Sequence, residues 1–280
     1  MVKNYFMIKK YLKRLNRYKS QQNNPDLSLS GHKPGTFEFK GLEQLSDNEL
    51  EHLNNLLPWA SWVVDRKGRR FGNRFSYNKR NNPEEIPDKR IVELNKRYDL
   101  SDKHVLEIGC FEGNHTIALA TYAKKVTAID SRVEHVVKTL TRCAMAQVSP
   151  SVHCWDVEDS TIPSQTDLNC DVLHHVGVLY HLLNPVEHLK RISPFVRDVI
   201  MLDTHVAPEN VELKRYGEVQ YWEFAEHGRD NPFAGMYGHA KWIVLKDLIQ
   251  LLHSLGFSHV DVAEQRTERS GPRVLIYAHR

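Results

Sequence analysis

The sequence predicts an α/β chain with a doubly wound, mostly parallel seven-stranded sheet, a C-terminal antiparallel hairpin and an N-terminal helical extension. Three observations predict it. Apolar runs of strand length alternate with amphipathic stretches between residues 104 and 205, with short connections, as a parallel sheet covered by helices requires. A glycine-bearing turn joins the first such run directly to a helical stretch. The pattern then breaks at the C-terminus, where Phe257–Val262 and Arg273–Ala278 follow one another with only a polar turn between them, so they pair as a hairpin.

Residues 1–36 form the first segment. Residues 1–20 hold seven Lys or Arg and no acid, with Phe6, Ile8, Leu12, Leu15 and Tyr18 at roughly helical spacing. This reads as a basic amphipathic helix, suited to an anionic membrane surface or to its own domain's flank. Gln21 to Thr36 is a polar, Pro-, Gly- and Ser-bearing linker. Residues 37–100 make an accessory or lid region. Ser46 to Leu57 is a helix with Ser46 as N-cap and Glu49 at the capping-box position. An aromatic stretch starts at Pro58-Trp-Ala-Ser-Trp62, and residues 83–98 are helical.

The main domain spans 101–280, with strands at 104–109, 125–130, 152–156, 171–176 and 198–205. Helices fall at 114–123, about 132–147, 184–193 and 245–255, and an insertion at about 206–244 lies over the sheet end as a lid for an acceptor. The charge is uneven. Residues 1–100 hold 20 Lys and Arg against 12 Asp and Glu, a balance of +8; residues 101–280 hold 18 against 23, a balance of −5. Four cysteines show no paired spacing, and Cys110 and Cys154 fall in strand-like runs, so the thiols read as reduced core residues of a cytoplasmic protein. No apolar run approaches the roughly 20 residues that span a bilayer.

The chemistry lies at the strand exits, where open α/β sheets bind ligands. The first exit reads Glu107-Ile-Gly109-Cys110-Phe111-Glu-Gly113-Asn114-His115. Glycines there let the backbone approach a ligand, and Asp130, 21 positions after Gly109, can accept both hydroxyls of a ribose. A dinucleotide fingerprint would carry G-x-G-x-x-G; here an acid precedes two glycines four apart. A carboxylate inside the strand suits an amino-acid tail and a sulfonium better than a pyrophosphate.

The stretch resembles motif I of the class I S-adenosylmethionine (SAM) methyltransferases, with Phe111 in place of the middle glycine. Their Rossmann-like sheet ends in such a hairpin. The resemblance implies SAM as cofactor, with Asp130, Ser131 and Arg132 beside the ribose, Asp156 and Val157 at the adenine, and Val176 and Gly177 beside the departing methyl. The run Gly177-Val-Leu-Tyr-His181, followed by Pro185 and His188-Leu189, is more specific. It resembles the tRNA wobble-uridine carboxymethyltransferases and their relatives of saccharide specificity, over roughly residues 58–280. In the wobble-uridine enzymes Tyr180 would face the transferable group, and the carboxylated cofactor would need a Lys or Arg such as Arg66, Lys67 or Arg69 beside it.

Methyl transfer to a hydroxyl needs an aligned acceptor, excluded water and a proton acceptor. His181 and His205, at adjacent strand exits, are candidate bases, with Tyr180 against the sulfonium and Asp203 alongside. His174 and His175 lie inside a strand, where one faces the core. Asp203 and His205 lack a third metal ligand, so no metal is assigned. Tyr237, His239, Trp242, Arg229 and Arg69 are the candidate acceptor contacts. The leading reading is a SAM-dependent O-methyltransferase acting on a hydroxylated acceptor, a sugar of a cell-surface glycan, peripheral at the inner membrane face through residues 1–20. An RNA-modifying enzyme of the wobble-uridine type is the alternative, favoured by the basic first hundred residues. A non-catalytic binding module is the third, disfavoured because Glu107, Gly109, Gly113, Asp130 and Asp156 occur together.

Overall fold

The computed structural model describes residues 37–73 and 82–280. The basic helix of residues 1–20 and the linker to Thr36 lie outside them. Two short helices open the described chain, α1 (Lys40–Gln44) and α2 (Asp47–Leu56). The capping box predicted at Ser46 is present: the Ser46 hydroxyl accepts from the Glu49 amide, and the Glu49 carboxylate accepts from the Ser46 amide at 2.8 Å. A small antiparallel pair follows, β1 (Trp62–Val64) with β2 (Arg70–Gly72). Helix α3 (Lys89–Tyr98) starts later than the predicted 83, because Pro83 and Pro87 interrupt the run and Asp88 caps the helix by accepting from the Arg90 amide.

The central sheet then builds from β3 (His104–Ile108), β4 (Lys125–Asp130), β5 (Ser151–Cys154), β6 (Cys170–Val176) and β7 (Val196–His205). Between them run α4 (Asn114–Tyr122), α5 (Val133–Ala146) and α6 (Pro185–Ile192). Pro185 occupies the first turn of α6, where its missing amide hydrogen costs nothing. After β7 the chain forms β8 (Lys214–Tyr216), β9 (Val219–Ala225) and β10 (His239–Ile243), then α7 (Leu245–Ser254), β11 (His259–Glu268) and β12 (Gly271–His279). The hairpin strands are longer than predicted, and β11 continues to Glu268 through a register shift after Val262.

The seven strands are ordered β11-β12-β7-β6-β3-β4-β5. Only β12 runs against its neighbours: it is antiparallel to both β7 and β11, while the others are mutually parallel. The strand order reverses between β3 and β6, so the ligand crevice of this topology opens beyond their carboxyl ends. Strand β3 is buried on both faces from Val105 to Ile108, which is why that stretch reads as an apolar run interrupted by Glu107. One apolar cluster, containing Leu106, Ile108, Leu189 and Leu252, fills one face of the sheet. The other joins Val105, Ile117 and Tyr277 to Phe39, Leu42, Trp59 and Phe71, so residues 37–73 share a core with the sheet.

The 206–244 insertion is a sheet rather than a loop: β10, β9 and β8 pair antiparallel in that order. Its alternation of Tyr221, Trp222, Glu223 and Phe224 is a period-two pattern that accounts for it. Cys110, Cys143 and Cys170 are buried free thiols, but Cys154 is exposed, because β5 is a four-residue edge strand. Among the described residues no helix is long and apolar enough to cross a membrane.

Candidate active site

A cleft of about 290 Å³ opens at the carboxyl ends of β3, β4 and β6, under the segment Pro232–Met236. Its first wall is the turn after β3. Gly109 and Gly113 have φ of 82° and 84°, and a Cβ on Gly109 would come within 2.2 Å of the Val178 side chain. Phe111, at φ 50°, takes the same left-handed backbone without being glycine, and its ring meets His135 at 4.8 Å and Phe233 of the overlying segment at 5.6 Å. Gly109, Cys110, Phe111, Asn114 and His115 line the cleft; Gly113 does not, because it packs on Thr139 of α5.

Glu107 reaches the cleft floor and accepts from the Thr116 hydroxyl at 2.6 Å. Full burial pushes its carboxyl up to about 8. A cationic ammonium is the kind of group that such a buried carboxyl would pair with. At the tip of β4, Asp130 accepts from the Phe111 amide at 3.0 Å, the Arg132 amide at 2.9 Å and His135 Nδ1 at 3.0 Å, which fixes its carboxylate at the cleft edge. Ser131, Asp156, Val157, Val176 and Gly177 also line the cleft. Asp156 accepts from the Tyr237 hydroxyl at 3.2 Å. Carboxylates at the amino-acid end and the sugar end, with a glycine cradle between, fit SAM: Glu107 to hold the ammonium and Asp130 the ribose, with Asp156 toward the base.

Arg132 borders the cleft but does a different job from ribose binding. Its guanidinium is nearly buried and donates to the carbonyls of Gly228, Arg229, Asn231, Ala234 and Gly235 at 2.6–3.4 Å. One side chain from the cofactor wall thus holds the covering segment. Two further groups escaped the sequence reading because they act across the chain. Glu112, fully buried, accepts from the amides of Ala60 and Ser61 and from Lys138 Nζ at 2.9 Å, with Arg142 at 3.5 Å. It ties the 58–62 segment to the cofactor turn. Arg90 and Arg273, both in the cleft wall, converge on Asp203.

That convergence corrects the reading of Asp203. The carboxylate is buried among Arg90, Arg266 and Arg273, which hold it below the usual carboxylate range against the opposing effect of burial. Three guanidinium groups leave it no role as a base and no room for a metal. His205 also stands behind the wall: its Nδ1 donates to the Pro272 carbonyl at 3.0 Å, its ring stacks on Trp242 at 4.6 Å, and burial lowers its pKa. Tyr180 and His181 do line the cleft. Burial raises the Tyr180 phenol, and Arg273 lies 5.3 Å from its ring centroid. His181 Nδ1 lies 2.6 Å from Glu226 Oε1.

The five predicted acceptor contacts are placed elsewhere. Trp242 is buried between His205 and Phe224, and His239 is exposed outside the cleft. Arg229 contributes its carbonyl to Arg132, Tyr237 binds Asp156, and Arg69 is spent on Asp65, Asp47 and two carbonyls of the α1 region. The cleft is instead covered by Pro232, Phe233, Ala234, Gly235 and Met236. His174 and His175 are both buried; His175 Nε2 lies 2.9 Å from His188 Nε2. Among the described residues Glu107, His115 and His174 bring ligand atoms within 4.8 Å of one another. The Arg90 guanidinium, 3.4 Å from His115 Nε2, opposes a second cation there.

A family described as "Methyltransferase domain" matches residues 50–262. No protein of curated function matches the chain by sequence. Among solved structures, the N-terminal domain of EvdMO1, determined in the presence of SAH and D-fucose, superposes with a TM-score of 0.69 at 19% identity, covering 84% of this chain and 97% of that one. Magnesium protoporphyrin IX methyltransferase from Synechocystis PCC 6803, with bound SAH, superposes with a TM-score of 0.50 at 16% identity, covering 69% and 81%. Both likenesses are of fold.

Proposed function

The chain belongs to the methyltransferase-domain family that matches residues 50–262, with SAM as cofactor, and we propose that it methylates a hydroxyl of a saccharide acceptor. The carrying observation is that Tyr180 and His181, at the exit of β6, line the same cleft as Glu107, Asp130 and Asp156, under the apolar segment Pro232–Met236. The cofactor, when bound, supplies an electrophilic methyl on a sulfonium. The chain's own groups supply the rest. Glu107 and Asp130 fix the two ends of the cofactor, the Tyr180 ring offers its electron-rich face, the 232–236 cover excludes water, and the His181 imidazole takes the hydroxyl proton. A hydroxyl needs such a base, which is why an imidazole in this position favours O-methylation. A saccharide acceptor draws support from the D-fucose present with the EvdMO1 domain.

A wobble-uridine type carboxymethyl transfer has one observation in its favour. That reading requires a basic group beside Tyr180 for a cofactor carboxylate, and Arg273 lies against the ring. It is not the residue expected from sequence, since Arg66, Lys67 and Arg69 do not line the cleft. Mass spectrometry of the small molecule released on denaturing the purified protein separates the two. SAM or SAH supports methyl transfer, a carboxylated derivative transfers the assignment to carboxymethylation, and failure to bind any adenosyl compound on titration ends both. Incubation with SAM and a panel of deoxysugar-containing glycans, read as a gain of one methyl per acceptor, then tests the saccharide.

A further inference from the structure

Glu226 has no part in the reading above, yet it is the group that touches the proposed base. It follows β9, its side chain is 4% exposed, and its Oε1 lies 2.6 Å from His181 Nδ1. Its other oxygen accepts from the Gly235 amide at 3.3 Å. Its own amide donates to the Gly238 carbonyl at 2.9 Å. Gly235 in turn packs backbone to backbone on His181, where a Cβ would come within 2.5 Å of the His181 carbonyl oxygen. The Gly235 carbonyl accepts from Arg132 at 3.1 Å.

Resting on the methyltransferase reading, we propose that Glu226 is a positioning residue that sets the tautomer of His181, so that the cover delivers half of the base when it seats on the cleft. A carboxylate oxygen only accepts, so Nδ1 carries the hydrogen and Nε2, on the opposite edge of the ring, is left bare to take a proton. As the acceptor oxygen forms its bond to the methyl carbon, its proton passes to Nε2 and the electron pair of the broken carbon–sulfur bond stays on sulfur. The resulting imidazolium lies against the Glu226 carboxylate, which offsets its charge in a site shielded from water. His205 does not compete for the role. It lies outside the cleft, where its ring supports the Tyr180 ring at 4.6 Å and its Nε2 lies 3.8 Å from Glu268.

The Gly235 amide makes Glu226→Gln a sharp test. That amide needs an acceptor, so it holds the glutamine oxygen and turns the NH₂ toward His181 Nδ1. The substitution is therefore expected to reverse the tautomer while keeping the cover's shape. The full chain, labelled with ¹⁵N-histidine, is compared as wild type and Glu226→Gln by long-range ¹H–¹⁵N spectra, with SAH affinity measured on both. Support is an Nδ1–H signature for His181 in the wild type, an Nε2–H signature in the variant, and SAH affinity equal within about twofold. An Nε2–H wild type, or an unchanged tautomer in the variant, overturns the proposal. A loss of SAH affinity confined to the variant also overturns it, by showing a merely structural role. Absence of SAH binding to the wild type strikes the methyltransferase reading instead, and leaves the tautomer result to be judged alone. With an acceptor in hand, Glu226→Gln is expected to slow turnover roughly 100-fold with the KM for SAM unchanged.

Discussion

The wall of the cleft and the cover over it are built on different principles. The wall is contiguous in sequence and fixed by buried charge: Glu107 to Asp130 supplies the cradle, and Glu112 locks it to residues 58–62 through two amides and two cations. The cover is an antiparallel sheet and a short loop, joined to the wall by the Arg132 guanidinium and the Glu226 carboxylate. The wall's chemistry can be fixed by a short run of residues, whereas the cover's depends on side chains such as Arg132 and Glu226 reaching across about a hundred and about forty-five positions.

The comparison breaks most severely at Glu112. Glu112→Gln leaves Lys138 and Arg142 buried without their counter-charge, and is expected to cost about 3–5 kcal/mol in denaturant unfolding. A loss under about 1 kcal/mol would mean that the wall is not held by charge. Asp130→Asn is next: two charge-assisted bonds to a ribose are worth about 3 kcal/mol together, so SAH affinity should fall roughly 100-fold by calorimetry. Hydrogen exchange across 228–236 should stay unchanged in this variant. Arg132→Ala inverts that pattern. Exchange across 228–236 should rise steeply, with a stability loss of about 1–2 kcal/mol and less than tenfold effect on SAH. If SAH affinity instead falls as far as with Asp130→Asn, wall and cover are one unit and the distinction fails.

The smallest effect is a proton. Burial raises Glu107 to about 8, against 4.5 for an ordinary carboxyl, so the native chain without cofactor holds a proton that the unfolded chain has lost. Its stability should therefore decline as pH rises from about 4.5 to about 8, the reverse of a salt-bridged acid. An ammonium placed on Glu107 expels that proton. SAH binding near pH 7 should release up to about one proton, seen as a dependence of binding heat on buffer ionisation enthalpy, and Glu107→Gln should remove it.

The same contrast explains what could be read in advance. The strand–helix alternation, the cradle at Gly109 and the acid at Asp130 follow from local spacing, because backbone turns and strand tips lie within βαβ units. The hairpin was legible too, since no helix fits between residues 262 and 273. The aromatic insertion was misread because aromatic residues serve a core as readily as a ligand: Trp242 looks like a sugar platform in sequence and is a buried ring stacked on His205. Asp203 read as a catalytic group because its partners, Arg90 and Arg266, are 113 and 63 positions away. Arg132 looked like a ribose contact because it follows Asp130, while its guanidinium is used on carbonyls nearly a hundred residues later.

Those carbonyls carry a consequence for how specificity can change. Arg132 grips five backbone oxygens and no side chain between Gly228 and Gly235. Every amino acid presents that oxygen, so the grip is indifferent to most of the residues it holds. Side chains at 232 and 236 can therefore be exchanged for larger, smaller or charged ones while the Arg132 fastening persists, whereas Phe233 is also held by its contact with Phe111. The fastening is thus separate from the side chains that cover the cleft, and positions 232 and 236 are where a redesigned acceptor preference is to be sought.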